Sequence, residues 1–291
     1  MNIKSALVHL FLLLSLIFHL FKSINLNNFF GVKSMLRKSF IVVMFVFVLS
    51  AVVTAAEITI FFYNPDAAPT DPSILIKTSS DYFKKAGVQI KIQPVIDADV
   101  FAKLVKENKA KVFIASSGLL KSLGAGFKEI LIPNSEDGTP TYKKIVMVKE
   151  DFKSVADLKG QNVGSTSLGP ESLNFLNEYV FKPSEYDLSN SKVIYVKKDI
   201  DALLAAKIGQ IKAAVISEKN LSKIEKINPA AVAGIKKLLT SGNIPESPLC
   251  AANDVPAGDI DTLTKAFTDM HNTPEGKEFL KILGYSKWVT K

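Results

Sequence analysis

Serine and threonine residues follow two predicted strands, and their hydroxyls are the groups best placed to do chemistry in this sequence. Ser116 and Ser117 come after a short apolar strand at 111–115, and Ser165-Thr166-Ser167 come after a strand at 161–164. In open α/β sheets, ligands bind beyond the carboxyl ends of the strands, where helix N-termini offer free N–H groups. The pattern predicts a site for a small tetrahedral oxyanion. The alternative is that these hydroxyls only cap the helices that follow.

Four further residues are candidates for contact with the same ligand. Tyr63 and Asn64 end the first strand, and Tyr142 begins the strand that crosses to the second half of the chain. Glu218 follows a strand and could accept a hydrogen bond from a protonated oxyanion or an amino group. For the tyrosines the alternative is packing, and for Glu218 it is a solvated surface charge.

The absence of arginine after Arg37 narrows the ligand class. Proteins commonly clamp carboxylates with the two parallel N–H groups of an arginine. An amino acid is therefore a less favoured ligand, and a ring of neutral donors suits a tetrahedral oxyanion better. A lysine could still add a point charge.

Catalytic and metal-binding groups are scarce after residue 56. His271 and Cys250 are the only histidine and cysteine there, and we expect His271 at the surface. No cluster has the spacing of a zinc site, and there is no phosphate-binding loop and no nucleophile elbow. The sequence predicts a protein that is not an enzyme and holds no cofactor and no metal.

The first 56 residues differ from the rest. They hold five of the 36 Lys and Arg residues and no Asp or Glu, so a chain without them carries +3 instead of +8, too little to indicate nucleic-acid binding. Residues 35–56 are typical of a signal peptide, with cleavage before Glu57. Residues 1–34 are then an upstream extension, if translation starts at Met35. The alternative is a start at Met1, with a short membrane helix at 6–21.

From Glu57 onward, strands and helices alternate, which predicts an α/β fold. Strand, helix, strand, helix, strand occurs over 57–115 and again over 161–216, so we expect two similar lobes. Asp199 is expected to cap its helix. The helix at 97–108 and the helix that begins at Asp199 are expected to bury apolar residues at helical spacing. Their predicted inward-facing residues are Val100, Phe101, Leu104, Val105, Ile200, Leu203, Leu204 and Ile208. The chain is expected to close with two further helices.

Several segments carry a resemblance to a known family. They are Tyr142–Lys149, Val155–Gly160 followed by Gln161–Ser167, Asp201–Ile216, and Thr273–Lys277 with the helix to Gly284. In order and spacing the chain resembles the type II periplasmic solute-binding proteins of ABC importers. It is most similar to the phosphate/phosphite/phosphonate-binding branch. It departs from that branch in having Ser116-Ser117-Gly118-Leu119 where an aromatic residue often follows the strand.

The resemblance implies a type II periplasmic-binding-protein fold with two α/β lobes and a hinge. Lobe I would comprise 57–147 and 248–291, and lobe II would comprise 148–247. The hinge would lie near Met147-Val148 and Ser247–Leu249. The resemblance further implies a periplasmic monomer that closes on a small oxyanion and delivers it to an ABC permease in the inner membrane.

Three alternatives remain open from sequence. The protein could sense a ligand or act as an accessory module of the same fold. The solute could be a sulfonate, nitrate or a pyrimidine-type compound. An enzyme related to pyrimidine-precursor synthases would be expected to carry histidine or cysteine at its active site, which this chain nearly lacks.

Overall fold

The computed structural model describes residues 57–66 and 71–291. The predicted upstream extension at 1–34 and the predicted signal peptide at 35–56 lie outside the described residues. In the described part, strands and helices alternate as the sequence predicts, and they form two mixed sheets with helices on both faces.

Lobe I is built on a six-stranded sheet in the order β13–β4–β12–β3–β1–β2. The strands are β1 (Ile58–Tyr63), β2 (Ile90–Pro94), β3 (Val112–Ala115), β4 (Phe127–Ser135), β12 (Leu249–Ala252) and β13 (Tyr285–Thr290). β1 runs parallel to β2 and β3, whereas β12 runs antiparallel to β3 and β4. The helices are α1 (Pro72–Lys85), α2 (Ala98–Lys106), α3 (Ser117–Leu123), α8 (Ala257–Thr268) and α9 (Pro274–Leu283).

Lobe II is built on a five-stranded sheet in the order β10–β6–β9–β7–β8. The strands are β6 (Lys144–Lys149), β7 (Asn162–Thr166), β8 (Lys192–Val196), β9 (Ala213–Ser217) and β10 (Ile235–Thr240). β7 runs parallel to β8 and β9, and β6 runs antiparallel to β9 and β10. The helices are α4 (Ser172–Leu176), α5 (Asp199–Lys207), α6 (Glu218–Ile227) and α7 (Pro229–Val232).

The two sheets repeat one arrangement of three parallel strands. In lobe I the spatial order is β2–β1–β3, and in lobe II it is β8–β7–β9, each with the first strand of its group in the centre. The strand–helix echo in the sequence is therefore a structural repeat. Its consequence for function is that each lobe presents the carboxyl ends of three parallel strands, which is where ligands of open α/β sheets bind.

The chain crosses between the lobes twice. It leaves lobe I after β4 and returns to it before β12, and the short strands β5 (Thr141–Tyr142) and β11 (Ile244–Pro245) pair with each other on the two crossings. β6, which contains Met147 and Val148, belongs wholly to the second sheet. The structure therefore places 144–147 in lobe II, where the sequence placed them in lobe I. Met147 and Val148, which were predicted to lie near the hinge, are buried in β6, an interior strand of the lobe II sheet.

Two helix faces differ from those predicted. In α2 the buried residues are Ala98, Phe101 and Ala102, while Val100 is exposed. In α5 they include Ala202, Leu203 and Ala206, and Leu204 and Ile208 face outward. Alanines let these helices approach their sheets closely. Phe101 and Leu203 are buried as predicted, and Val105 and Ile200 pack partly buried against the clusters, so helical spacing of large apolar residues found only part of each buried face.

The chain ends in a strand that the sequence did not predict. β13 follows the two predicted closing helices and pairs antiparallel with β4. Its buried residues Tyr285 and Trp288 are three positions apart, because the register shifts between Tyr285 and Lys287. This bulge breaks the alternation by which a half-buried strand is recognised.

Each lobe has apolar clusters on both faces of its sheet. In lobe I, one cluster packs α1, α8 and α9 on the sheet, and a second packs α2 and α3 against its other face. In lobe II the clusters divide in the same way between α4 and the pair α5 and α6. Among the described helices, none is long and apolar enough to cross a bilayer.

Candidate functional site

A cleft of about 1150 Å³ lies between the lobes and is lined by both of them. Lobe I contributes the end of β1, the start of α1 and the segment after β2. Lobe II contributes the end of β8, Ser167 after β7, and α6. The predicted site residues that line this cleft are Tyr63, Asn64 and Ser167.

Four buried hydroxyls at strand ends have no hydrogen-bond partner within the described part of the chain. They belong to Ser116 and Ser117 after β3, Thr166 at the end of β7, and Ser217 at the end of β9. Buried hydroxyls are normally paired, so each unpaired one needs an explanation. These four come from both lobes and occupy the positions where α/β sheets bind ligands.

Contacts between the lobes bring these strand ends together. The Tyr63 hydroxyl donates to the backbone carbonyl of Ser167 at 2.6 Å, and Ser167 follows Thr166 directly. On the other side of Tyr63, its carbonyl accepts from the backbone N–H of Ser116. A Cβ added at Gly118 would lie 2.9 Å from the Cβ of Leu168. The Ser116-Ser117 and Ser165–Ser167 segments therefore lie close to each other where the lobes meet, and of these residues Ser167 lines the cleft.

Capping does not explain the hydroxyls of the two segments. Ser116 occupies the N-cap position of α3, yet its side chain makes no capping bond. Ser165 and Thr166 are the last residues of β7, and the next helix begins only at Ser172, after the N-cap residue Glu171. The helix that follows Ser165–Ser167 therefore begins too far along the chain for their hydroxyls to cap it.

Ser165 and Thr166 differ although they are neighbours. Both are fully buried, but consecutive strand residues point to opposite faces of a sheet. The Ser165 hydroxyl donates to the carbonyl of Thr166 at 3.2 Å, whereas the Thr166 hydroxyl has no partner among the described residues. Thr166 is thus the better candidate for a ligand contact.

Asp199 lines the cleft and is a candidate site residue that sequence reasoning missed. It was expected to cap its helix, but the N-cap position belongs to Lys198. Instead, Asp199 Oδ2 accepts from the Ser217 backbone N–H at 2.9 Å and from Asn220 Nδ2 at 2.8 Å. Its Oδ1 has no partner in the described part of the chain. The strand-end rule that selected Ser165 would also have selected Asp199, which follows β8.

The environment of Asp199 favours its neutral form. Burial raises the pKa of the carboxyl to about 6, with the Lys144 ammonium lowering it and the Asp66 carboxylate raising it. A protonated Asp199 Oδ1 can donate a hydrogen bond to an oxyanion. The site therefore holds one donor that depends on pH beside four hydroxyls that do not.

A buried ion pair joins the lobes next to the site. Lys144 Nζ, on β6, lies 2.6 Å from Asp66 Oδ1, and both side chains are almost fully buried. The Tyr142 hydroxyl donates to Asp66 Oδ2 at 2.7 Å. Burial, with the Asp66 carboxylate next, raises the pKa of Tyr142 well above its ordinary value, so it stays a donor. The Tyr142 hydroxyl therefore helps to hold the Asp66 carboxylate in place beside Lys144.

Lys144 was missed for a topological reason. β6 begins the second sheet, so a strand-end rule does not select its first residue. However, β6 runs antiparallel to β9 and pairs Lys144 with Ser217. The start of β6 therefore lies at the same edge as the end of β9. Only the strand order of the sheet reveals that placement.

The remaining predicted residues have other roles or lie apart. Asn64 uses its side chain inside the protein, donating to Ser247 and the Tyr285 hydroxyl and accepting from the Asp66 backbone. Glu218 is half-buried at the start of α6, where its backbone N–H donates to the carbonyl of Lys143. Glu218 does not line the cleft.

The groups that could support catalysis lie outside this cleft. Cys250 is buried on β12, and burial raises the pKa of its thiol well above the ordinary value, which disfavours the reactive thiolate. His271 is half-buried in a one-turn helix between α8 and α9. Within residues 57–66 and 71–291, no group of three or more His, Cys, Asp or Glu residues could hold a metal ion.

Sequence comparison decides the family. A family model described as "ABC transporter, phosphonate, periplasmic substrate-binding protein" matches residues 79–290. The chain belongs to this family. It is therefore the substrate-binding component of an ABC transporter, binds a small-molecule ligand, works with a permease and is not an enzyme. This confirms the family and the function that the sequence resemblance implied. No curated protein sequence matched the chain.

Solved structures confirm the two-lobed fold. A binding protein component of an ABC phosphonate transporter from Pseudomonas aeruginosa superposes with a TM-score of 0.67 at 17% identity, covering 81% of this chain and 82% of that one. PhnD1 from Prochlorococcus marinus, in complex with methylphosphonate, gives 0.63 at 12% identity and covers 80% and 92%. The aliphatic sulphonate binding protein SsuA from Escherichia coli gives 0.53 at 15% identity and covers 79% and 78%.

Proposed function

We propose that this protein captures a phosphonate, or a similar tetrahedral oxyanion such as phosphate or phosphite, between its two lobes. The hydroxyls of Ser116, Ser117, Thr166 and Ser217 would donate to the oxyanion. The observation that carries the proposal is that these four buried hydroxyls, from both lobes, have no partner in the described part of the chain.

Energetics support a ligand at these hydroxyls. Leaving a buried polar group unpaired costs about 1–3 kcal/mol, whereas a hydrogen bond to a charged group contributes about 1.5–3 kcal/mol. Four such hydroxyls, at strand ends of both lobes, would destabilise the fold if no ligand paired with them. An anion with three oxygens accepts from all of them, and neutral donors bind it without an arginine.

Closure of the lobes is the proposed mechanism. A ligand that bonds to Ser116 on lobe I and Thr166 on lobe II favours the closed arrangement over an open one by its differential affinity. The Tyr63–Ser167 hydrogen bond and the Lys144–Asp66 pair also join the lobes. The permease would then recognise the closed form. A sensory role without delivery of cargo stays the alternative.

The choice among oxyanions is tested by titration calorimetry. The panel comprises methylphosphonate, 2-aminoethylphosphonate, phosphate, phosphite, methanesulfonate and nitrate. We expect heat with the phosphorus oxyanions and none with nitrate, which is planar. The likeness to a sulphonate-binding structure makes methanesulfonate the most informative competitor. Binding of methanesulfonate alone would reassign the ligand class.

A pair of neighbouring variants tests the site. Thr166→Val removes an unpaired hydroxyl at nearly constant side-chain volume. We expect its affinity for methylphosphonate to be at least about tenfold lower than that of wild type. Ser165→Ala is the control, since its hydroxyl already bonds to the Thr166 carbonyl, and affinity should change by no more than about threefold. Equal affinities for Thr166→Val and wild type, with unchanged melting temperatures, would show that the oxyanion binds elsewhere.

Export through residues 35–56 is part of the proposal. It is supported by the periplasmic family and by the start of β1 at Ile58, two residues after the expected cleavage point. The mature protein should begin at Glu57 and sediment as a monomer. Intact-mass measurement and analytical ultracentrifugation of protein from the periplasmic fraction test both expectations. A retained segment at 1–56 would contradict the first.

A further inference from the structure

The cleft is far larger than the head group that the hydroxyls would hold. Its volume of about 1150 Å³ exceeds the range of roughly 300–1,000 Å³ typical of pockets for drug-sized ligands. A phosphonate head needs only a small fraction of that space. The question is therefore what occupies the rest.

Apolar side chains from both lobes project into this space. Ile96 is 76% exposed and Ile227 is 82% exposed, and they lie on opposite walls of the cleft. Ile74 and Tyr195 are about half exposed and line the same cavity. Single exposed apolar residues are common, but a group of them around one cavity marks a binding surface.

The cavity adjoins the proposed oxyanion site. Ser167 and Asp199 line it, and they lie next to Thr166 and Ser217. From Asp199 the wall continues through Tyr195 and Ile200. A ligand with its head at the hydroxyls would therefore extend its substituent into the space between the isoleucines.

The charged groups on the cleft wall nearly balance. Lobe I contributes four acidic residues and one lysine, and lobe II contributes three lysines and Asp199. The charged residues that line the cavity, apart from Asp199, are Asp71, Asp97, Asp99, Glu278, Lys197, Lys198, Lys223 and Lys281. Together with Asp199, the wall carries five acidic and four basic side chains, so it offers no excess of positive charge to a second anionic group on the ligand.

We propose that the ligand is a phosphonate whose organic part is an apolar chain of several carbons, held between the isoleucines of the two lobes. The proposal rests on the proposed function, because it assumes that the oxyanion binds at the strand-end hydroxyls. It names the substrate class: amphiphilic alkylphosphonates, and not only the one-carbon compound.

Titration with methyl-, butyl-, hexyl- and octylphosphonate tests this proposal. We expect affinity to rise by roughly threefold per added methylene, as burial of a CH₂ group predicts. In the double variant Ile96→Ser/Ile227→Ser the gain per methylene should fall to below about 1.5-fold, with methylphosphonate affinity unchanged. Octanol, which has the chain but no phosphonate, should not bind.

A matched control is available on the same surface. Ile76 and Ile208 are 47% and 65% exposed and do not line the cleft. Ile76→Ser/Ile208→Ser should keep the full dependence on chain length. Methylphosphonate binding without any gain from methyl to octyl overturns this inference and leaves the proposed function standing. Binding of no phosphonate at all overturns both. A gain that survives Ile96→Ser/Ile227→Ser places the chain elsewhere and also overturns the inference.

Discussion

At the scale of single residues, the site is defined by which polar atoms are already paired. Ser165 and Thr166 are neighbours of similar chemistry, but only the Thr166 hydroxyl lacks a partner among the described residues. Asn64 lines the cleft, yet its amide is fully used by Ser247, Tyr285 and Asp66. Residue type and position on the chain predicted all three. Only the hydrogen-bond partners separate the ligand candidates from the structural residues.

Asp199 gives a pH dependence whose sign follows from its pKa. Burial raises that pKa from 3.8 to about 6 in the folded protein. The carboxyl therefore contributes its full stability below about pH 4, and the contribution is lost as the pH rises through 6. Asp199→Asn should raise the free energy of unfolding at pH 7.5 by up to about 3 kcal/mol and leave it unchanged at pH 4. Urea denaturation at both pH values measures this. A variant equally stabilised at both would contradict it.

The same group should control ligand affinity. In the proposed site, a protonated Asp199 Oδ1 would donate to the oxyanion below pH 6, and the carboxylate would repel the ligand above it. Wild type should therefore lose roughly tenfold more affinity for methylphosphonate between pH 5 and pH 7.5 than Asp199→Asn does. Comparing the two proteins cancels the titration of the ligand itself. Parallel pH profiles would exclude Asp199 from the contact.

At the scale of elements, the short helix α3 brings the lobes together. Gly118 on this helix lies against Leu168 and Phe175 of lobe II, and a Cβ there would approach Leu168 Cβ to 2.9 Å. That is closer than side chains pack, so the lobes or the loop must move apart. Glycine is needed at this position for close approach and not for backbone conformation.

A side chain at Gly118 should keep the lobes apart. We expect Gly118→Val to weaken methylphosphonate binding at least tenfold and to increase the radius of gyration measured by small-angle X-ray scattering with ligand. Gly258→Ala is the control, since a Cβ there meets no atom within 4 Å. If Gly118→Val binds like wild type, closure does not bring α3 against Leu168.

At the scale of the whole molecule, the Lys144–Asp66 pair couples one lobe to the other. Asp66 follows β1 of lobe I, and Lys144 begins β6 of lobe II. Both charges are buried, so removal of one partner leaves the other uncompensated at a cost of about 3–5 kcal/mol. The pair therefore holds the lobes in one arrangement even though its net contribution to stability is small.

Single and double replacement of this pair should differ. Lys144→Met should lower the free energy of unfolding by roughly 3 kcal/mol, because Asp66 keeps a buried charge beside Tyr142. Lys144→Met/Asp66→Asn should recover at least half of that loss. Chemical denaturation of the three proteins provides the test. A double variant less stable than Lys144→Met would contradict this prediction. It would mean that Asp66 stabilises the fold even without the Lys144 ammonium beside it.

Sequence alone determined the α/β class, the repeat of strand and helix, the scarcity of catalytic groups and the family. These features depend on local patterns and on residue counts, which need no folding to be recognised. Ser116, Ser117 and Thr166 were predicted because a strand end is visible along the chain.

Tertiary structure decided the rest. Lys144 reaches the site because β6 is antiparallel to β9, and Asp199 turns from its own helix toward Ser217 and Asn220. β13 was not recognised from the sequence, because a bulge in its pairing with β4 breaks the alternation of buried and exposed residues. In each case the deciding partner lies far away in the chain, so no local pattern records it. The unpaired hydroxyls also required the tertiary structure, because a hydroxyl is known to lack a partner only when the positions of all its neighbours are known.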